Sequence, residues 1–192
     1  MPRVIQGEAV LETGRLRLEP LRVEHARELF PLYQDARIYR FIPQDPPVSL
    51  EVLEARCRVL EGRASRDGRE VWLNWAVRLK ETMRLAGRLE ATVREDATAG
   101  IAYELSPLFW GAGYATEGCT RLLDLLFGAY AVDEVDALVD TRNESSIRLL
   151  ERLGFTRTGR RDRADFFKGS FSDEYSYRLL VTDPRPAPSG PA

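Results

Sequence analysis

The chain carries a single histidine, His25, in 192 residues. It stands among Glu24, Arg27 and Glu28, the setting of a surface residue. Serine–histidine and cysteine–histidine schemes need an imidazole beside the nucleophile, so both are excluded. Most zinc hydrolase schemes go with them, and no metal is expected. Cysteine is nearly as scarce: Cys57 and Cys119 form neither a metal-ligand spacing nor a secreted disulfide framework. They suit a reducing compartment, and the cytoplasm is the expected location. No run approaches eighteen apolar residues, and no charged segment leading into an apolar one opens the chain, so membrane insertion and export lack support. Excess charge of either sign is missing too. With 28 Lys+Arg against 30 Asp+Glu the net charge is -2, which offers no general attraction to nucleic acid or anionic lipid. The cluster Arg160, Arg161 and Arg163 is answered by Asp162 and Asp165 and reads as a solvated face.

What is present is an ordinary globular composition, 44% hydrophobic and 30% charged. A chain of this length fits one domain with a core of its own. Residues 1–182 are expected to form that domain, and 183–192, rich in proline and poor in bulky apolar groups, a disordered tail. Strand and helix signals alternate. Residues 16–19 read as a short strand, and a helix then places Ala26, Leu29, Phe30 and Tyr33 on one face. Residues 39–48 form an aromatic, proline-bearing loop, and Ser49 caps a helix running to about Arg63. Residues 71–79 and 85–94 alternate apolar and polar and make an antiparallel hairpin turning at Glu81-Thr82. A strand over 101–105 is stopped by Pro107. A helix over about 116–130, a strand around Val135, Ala137 and Val139, a helix from Asn143 to Gly154 and a closing strand over 174–180 complete the series. The order implies an α+β, mixed sheet, mostly antiparallel, with one parallel strand–helix–strand unit.

The most informative segment runs from Tyr103 to Glu117, Y-E-L-S-P-L-F-W-G-A-G-Y-A-T-E. A strand enters a turn with Gly111 and Gly113 at alternate positions and passes straight into a helix. Successive backbone N–H groups can converge there, where the helix dipole is positive, and the missing Cβ atoms let a phosphate approach the main chain. A dinucleotide fingerprint needs a third small residue where Thr116 stands, and no acidic ribose ligand is well placed on the next strand. An ATP-type loop needs Gly-Lys-Ser/Thr, which does not follow the turn.

The segment does resemble the acetyl-CoA loop of the GNAT superfamily, Q/R-x-x-G-x-G/A, with Gly113 and Ala115 in its last two positions and Trp110 replacing the usual Gln or Arg. The stretch from Trp110 to Glu117 is similar to the W-G-x-G-Y-A-T-E pattern of the RimJ/RimL-like branch. The likeness continues in Asn143-Glu144-Ser145-Ser146 followed by a helix and Gly154-Phe155, which looks like the second cofactor motif of the family. The resemblance implies a GNAT fold in which two parallel strands, here near residues 101–105 and 135–139, splay apart and hold the pantetheine arm of acetyl-CoA. It implies cofactor contacts from Leu105, Trp110, Gly111, Ala112, Gly113, Tyr114, Ala115, Thr116, Asn143 and Ser146. Asn143 is also a plain helix N-cap, and the two roles do not exclude each other.

The implied activity is transfer of the acetyl group to a primary amine, a protein N-terminal α-amine or a small-molecule amine, by direct attack. At pH 7 an uncharged lysine-like amine costs about 4.6 kcal/mol and an α-amine about 1.4, so a base matters more for the first. Glu104, on the strand that would flank the thioester, is the favoured base, with an ordinary exposed strand glutamate as its structural alternative; Asp173 is the runner-up. The tyrosine that often protonates the departing thiolate is replaced by Leu150, so Ser146, a water or no acid at all takes that role, with Tyr114 a weaker candidate. Tyr39, Phe41 and Ile42 fall in the loop that overhangs the acceptor cleft in this branch. A monomer or homodimer is expected. A non-catalytic acyl-CoA-binding regulatory module with the same fold is the other reading, supported by Leu150.

Overall fold

The computed structural model describes residues 9–185. Eight strands form one sheet in the order β1-β2-β3-β4-β5-β6-β8-β7. They are β1 (Leu11–Glu12), β2 (Leu16–Pro20), β3 (Val71–Leu79), β4 (Leu85–Val93), β5 (Thr98–Leu105), β6 (Glu134–Asp140), β7 (Thr156–Phe167) and β8 (Ser170–Leu180). The helices are α1 (Ala26–Leu32), α2 (Leu50–Glu61), α3 (Tyr114–Gly128) and α4 (Glu144–Arg152). Every neighbouring pair is antiparallel except β5 and β6. That pair is joined at Thr98–Glu134, Ala99–Val135 and Gly100–Asp136 only. From Ile101 onward β5 keeps its β4 partners as far as Leu105, while its other edge faces a gap.

Alternation along the strands sorts side chains between the two faces. Leu73, Trp75 and Val77 of β3 and Leu89 and Ala91 of β4 join Cys119, Leu122 and Leu126 of α3 and Leu149 and Leu150 of α4 in the larger core. Each large side chain so buried contributes about 1.5–3 kcal/mol. The opposite face is covered by α1 and α2 around Leu29, Tyr33, Leu53 and Cys57, with Ala76 of β3 and Leu85.

The helix boundaries follow local chemistry. Ser49 Oγ accepts from the Val52 amide and opens α2, and Asn143 Oδ1 accepts from the Ser146 amide and opens α4. α4 closes in a Schellman turn, in which the Phe155 amide donates to the Leu150 carbonyl and that of Gly154, at φ +94°, to Glu151. α3 begins at Tyr114, two residues before the expected start, because Gly113 already supplies its first carbonyl, to the Glu117 amide.

The main difference from expectation is β7. Residues 156–167, of which only the cluster from Arg160 to Asp165 was expected, as a solvated charged face, form a twelve-residue strand at the sheet edge. It carries no apolar alternation because both its faces are largely exposed, and two register shifts interrupt its ladder with β8. β8 accordingly begins at Ser170, so Asp173 lies within the strand rather than before it. Of the expected tail, Asp183 caps the Leu180 amide and Arg185 pairs with Asp124; 186–192 lie outside the described residues.

Candidate active site

β5 runs through the middle of the site, and its two faces and its end do different things. The end is held by β4. Gly87 lies opposite Leu105, where a Cβ would stand 2.0 Å from the Glu104 carbonyl oxygen, so only glycine permits the close approach. Beyond Leu105 the chain turns through Ser106, whose amide donates to the Ala86 carbonyl. The Trp110 indole donates to the Leu105 carbonyl at 2.8 Å, with half its surface exposed, so Trp110 braces the loop from outside.

Gly111 and Gly113 both have positive φ, +76° and +81°. Gly113 is the N-cap of α3 and offers no side-chain cap, in contrast to Ser49 and Asn143. The first-turn amides of α3 are therefore left for another acceptor, at the positive end of the helix dipole. A Cβ at Gly111 would meet nothing within 4 Å, so the turn has open space in front of it. An anionic phosphate group fits that chemistry, and the unpaired edge of β5 fits a partner carrying amides.

Sequence reasoning missed the residue that holds this loop. Arg15 donates from Nη1 to the Ala112 carbonyl at 2.9 Å and from Nε to Glu117 Oε2 at 2.6 Å, and its guanidinium lies 4.6 Å from the centre of the Tyr114 ring. Thr13 and the Arg15 amide bind the other oxygen of Glu117. Burial opposes the charge of Glu117, but these donors hold its carboxyl below the ordinary 4.5. The only sequence signal was a polar run before β2, with no pattern to mark it. Ala115 packs on the core and the Thr116 hydroxyl accepts from Arg152.

On the α3/α4 face of β5, Tyr103 packs against the core with its phenol near Ser146, in the first turn of α4. Burial above all, then Cys119, raises the phenol well above its ordinary value, so it stays protonated and can donate. Asn143 Oδ1 is engaged by the Ser146 amide and the Ser145 hydroxyl, so its side chain caps the first turn of α4.

On the α1/α2 face, Glu104 is not an ordinary exposed strand glutamate. Its side chain is 11% exposed, and Oε1 lies 3.2 Å from Arg88 Nη2 and 3.6 Å from Arg56 Nη2. Its Oε2 is buried and has no hydrogen-bond partner among the described residues. Arg88, directly opposite on β4, also reaches Asn74 Oδ1 at 2.8 Å and Glu90 at 2.8 Å. Burial works against its charge, but Glu104 and then Glu90 more than restore it. The Tyr33 phenol is buried with no hydrogen-bond partner among the described residues, and is raised by burial and then by the charge of Glu104. Tyr39 is pushed up to about 12 by the same two causes, in the same order.

Tyr39 is thus buried rather than exposed as part of an open wall. Phe41 and Ile42 are half-buried in the loop that precedes α2, with Arg40 5.0 Å from the Phe41 ring centre. Asp173 is committed elsewhere: Oδ1 accepts from the Arg163 amide and Oδ2 from Arg160, holding the β7 irregularity. The Arg163 amide, foremost, lowers its carboxyl below the ordinary value, which weakens it as a base. Among the described residues no group of three or more His, Cys, Asp or Glu is arranged to hold a metal ion, and no helix is long and apolar enough to cross a membrane.

Residues 15–156 match the acetyltransferase (GNAT) domain family, and the chain belongs to that family of acetyltransferases. It is 28% identical over 179 residues to the uncharacterized N-acetyltransferase p20 of Bacillus licheniformis, covering 88% of this chain and 95% of that one. Spermidine N-acetyltransferase from Vibrio cholerae, in complex with CoA and spermine, shares the fold with a TM-score of 0.75 at 21% identity, over 88% of this chain and 96% of its own. Mycobacterium smegmatis RimJ in complex with CoA-disulfide shares it with a TM-score of 0.75 at 22% identity, over 86% and 82%. At these identities the two structural likenesses concern the fold.

Proposed function

We propose that the chain is an acetyl-CoA-dependent N-acetyltransferase of the RimJ/RimL-like type, acting on a primary amine, a protein N-terminus or a small molecule. One observation carries the reading. β5 presents an unpaired edge and an open glycine turn to the gap beside β6, and on its α1/α2 face a buried carboxylate oxygen without a partner. The amides of 111–116 would hold the pyrophosphate, the free edges of β5 and β6 the pantetheine, and Asn143 and Ser146 the region near the sulfur. Bound there, acetyl-CoA supplies the activated acetyl group.

The chain's own residues then divide the proton work. The attacking amine loses a proton to Glu104 Oε2, directly or through one water. Arg88 and Arg56 fix the carboxylate by its other oxygen and leave Oε2, which is buried, without a protein partner among the described residues. Ser146, in the first turn of α4 near Tyr103, would supply a donor toward the departing sulfur. A thiol near pKa ~8.5 costs only about 2 kcal/mol to release as thiolate at pH 7, so a hydrogen bond there suffices where Leu150 fills the usual tyrosine position.

The second reading, a non-catalytic acyl-CoA-binding module, rests on that Leu150, which is buried in the core. Free thiol release from acetyl-CoA over a panel of α-amines, amino acids and polyamines separates the two. Burial raises both Cys57 and Cys119, the latter to about 12, so neither thiol interferes. Amine-dependent release supports the enzyme. Acetyl-CoA binding with no release across the panel supports the module. Acetyl-CoA at a hundredfold excess over its Kd is expected to stabilise the fold by about 2.7 kcal/mol, and the absence of a thermal shift at millimolar concentration would remove both readings.

A further inference from the structure

The β7–β8 turn is built from two residues, Lys168 and Gly169, with φ of +50° and +77°. Such a turn favours Asn, Asp or Gly at its first position, because a lysine there meets the steric penalty of the left-handed region. The lysine at this strained position is one of only two in the chain, with Lys80. Its side chain explains the choice. Nζ donates to the Ile42 carbonyl at 3.0 Å and the Gln44 carbonyl at 2.9 Å, and lies 3.5 Å from Asp45 Oδ1. The three donors of the ammonium thus have three oxygens, all on the overhanging loop of residues 40–48.

The loop passes the contact inward. The Gln44 side-chain oxygen accepts from Arg56 Nη1 at 2.9 Å, and the other terminal nitrogen of Arg56 faces Glu104 Oε1 at 3.6 Å. A continuous polar path therefore links the turn between the last two strands to the carboxylate on β5, through a loop more than 120 residues earlier in the chain.

We propose that Lys168 is a positioning residue for the amine acceptor: it clasps the loop of residues 40–48 and, through Gln44 and Arg56, fixes the wall of the acceptor cleft beside Glu104. The inference rests on the acetyltransferase reading and adds to it the residue that sets acceptor binding. Lysine is kept at a strained turn because asparagine, the better turn former, cannot span the distance to the loop.

The test compares Lys168→Asn, which suits the turn and abolishes the clasp, with Lys168→Arg, which keeps a cation and several donors. An alanyl peptide amide and spermidine serve as acceptors in the thiol-release assay, and amide hydrogen exchange follows residues 40–48. Lys168→Asn is expected to raise the acceptor KM about tenfold, the loss of one or two charge-assisted hydrogen bonds, with the acetyl-CoA KM and the melting temperature unchanged. Exchange in 40–48 should rise, and Lys168→Arg should restore most of both effects. Unchanged exchange in Lys168→Asn would overturn the clasp. Faster exchange with an unchanged acceptor KM would overturn the positioning role while leaving the acetyltransferase reading intact. A wild-type chain that releases no thiol across the panel of amines, seen before any variant is made, sinks that reading and this inference with it.

Discussion

The two faces and the end of β5 are built in different ways. Toward the gap and the glycine turn, the groups on offer are main-chain amides and carbonyls, set by two positive-φ glycines and by a helix start. One clamp, Arg15 with Glu117, keeps them in place. Toward the opposite face the groups are side chains from four elements, Asn74 on β3, Arg88 on β4, Glu104 on β5 and Arg56 on α2, roofed by a loop that a distant lysine ties down. A main-chain site can be written in a short stretch of sequence, since consecutive residues make it. A side-chain site must be assembled by folding, and each member can be exchanged alone. The first arrangement suits a constant ligand and the second a variable one.

Glu104→Gln should give the largest effect and break the acceptor face alone: turnover should fall ~10²- to 10⁴-fold with acetyl-CoA affinity kept. The loss should be smaller for an α-amine than for a lysine-like amine, which is more often protonated at neutral pH. Unchanged turnover at pH 7 on both kinds of amine would remove Glu104 as the base. A drop in melting temperature is expected alongside, because Arg88 loses one of its two carboxylates and is 4% exposed.

Gly113→Val should break the other face alone. A β-branched residue at φ +81° costs about 1–2 kcal/mol and crowds the turn, so the acetyl-CoA Kd should rise about 10- to 100-fold by calorimetry while the acceptor KM holds. Asn143→Ala should cost less, since the amide side chain contributes one cap to α4. Equal acetyl-CoA affinity in wild type and a folded Gly113→Val would contradict the cradle.

Acid should expose the smallest effect. Glu117 has a depressed folded-state pKa, so its contribution to stability is fully present above the unfolded value near 4.5 and is lost as pH falls through the folded one. Below that range the Arg15 clamp should release, and acetyl-CoA affinity should fall with it. In Glu117→Gln this acid dependence should flatten, at the expense of a few-fold weaker binding at pH 7. An identical acid limb of acetyl-CoA binding in both proteins would show that the clamp does not support the loop.

Much of the glycine turn and its flanks was legible in the residues themselves. The Trp110–Glu117 run, the Asn143 cap and the Gly154-Phe155 turn are local, and each is found where its spacing placed it. The alternation of Tyr103, Glu104 and Leu105 also assigned Glu104 to the face opposite its neighbours. The acceptor side was less legible. Arg88 and Asn74 carry the same alternation as any polar strand residue, and nothing local distinguishes a polar position covered by helices from one in water. Arg15 lies before the first clear strand, and β7 has no apolar period at all. Asp173 looked available as a base because its two partners, Arg160 and the Arg163 amide, come from a strand that the pattern does not reveal.

The sequence by itself determined the alternation of strands and helices, the strand–helix crossover that makes one pair of strands parallel, and the glycine turn between them. These follow from periodicity, caps and φ preferences, which act over a few residues. Only the tertiary structure decided how far that parallel pair runs before it parts, which carboxylate is buried with a free oxygen, and which lysine reaches the overhanging loop. Those depend on register across the sheet and on how two covering layers bury what lies beneath them, quantities fixed by the packing of segments far apart in the chain.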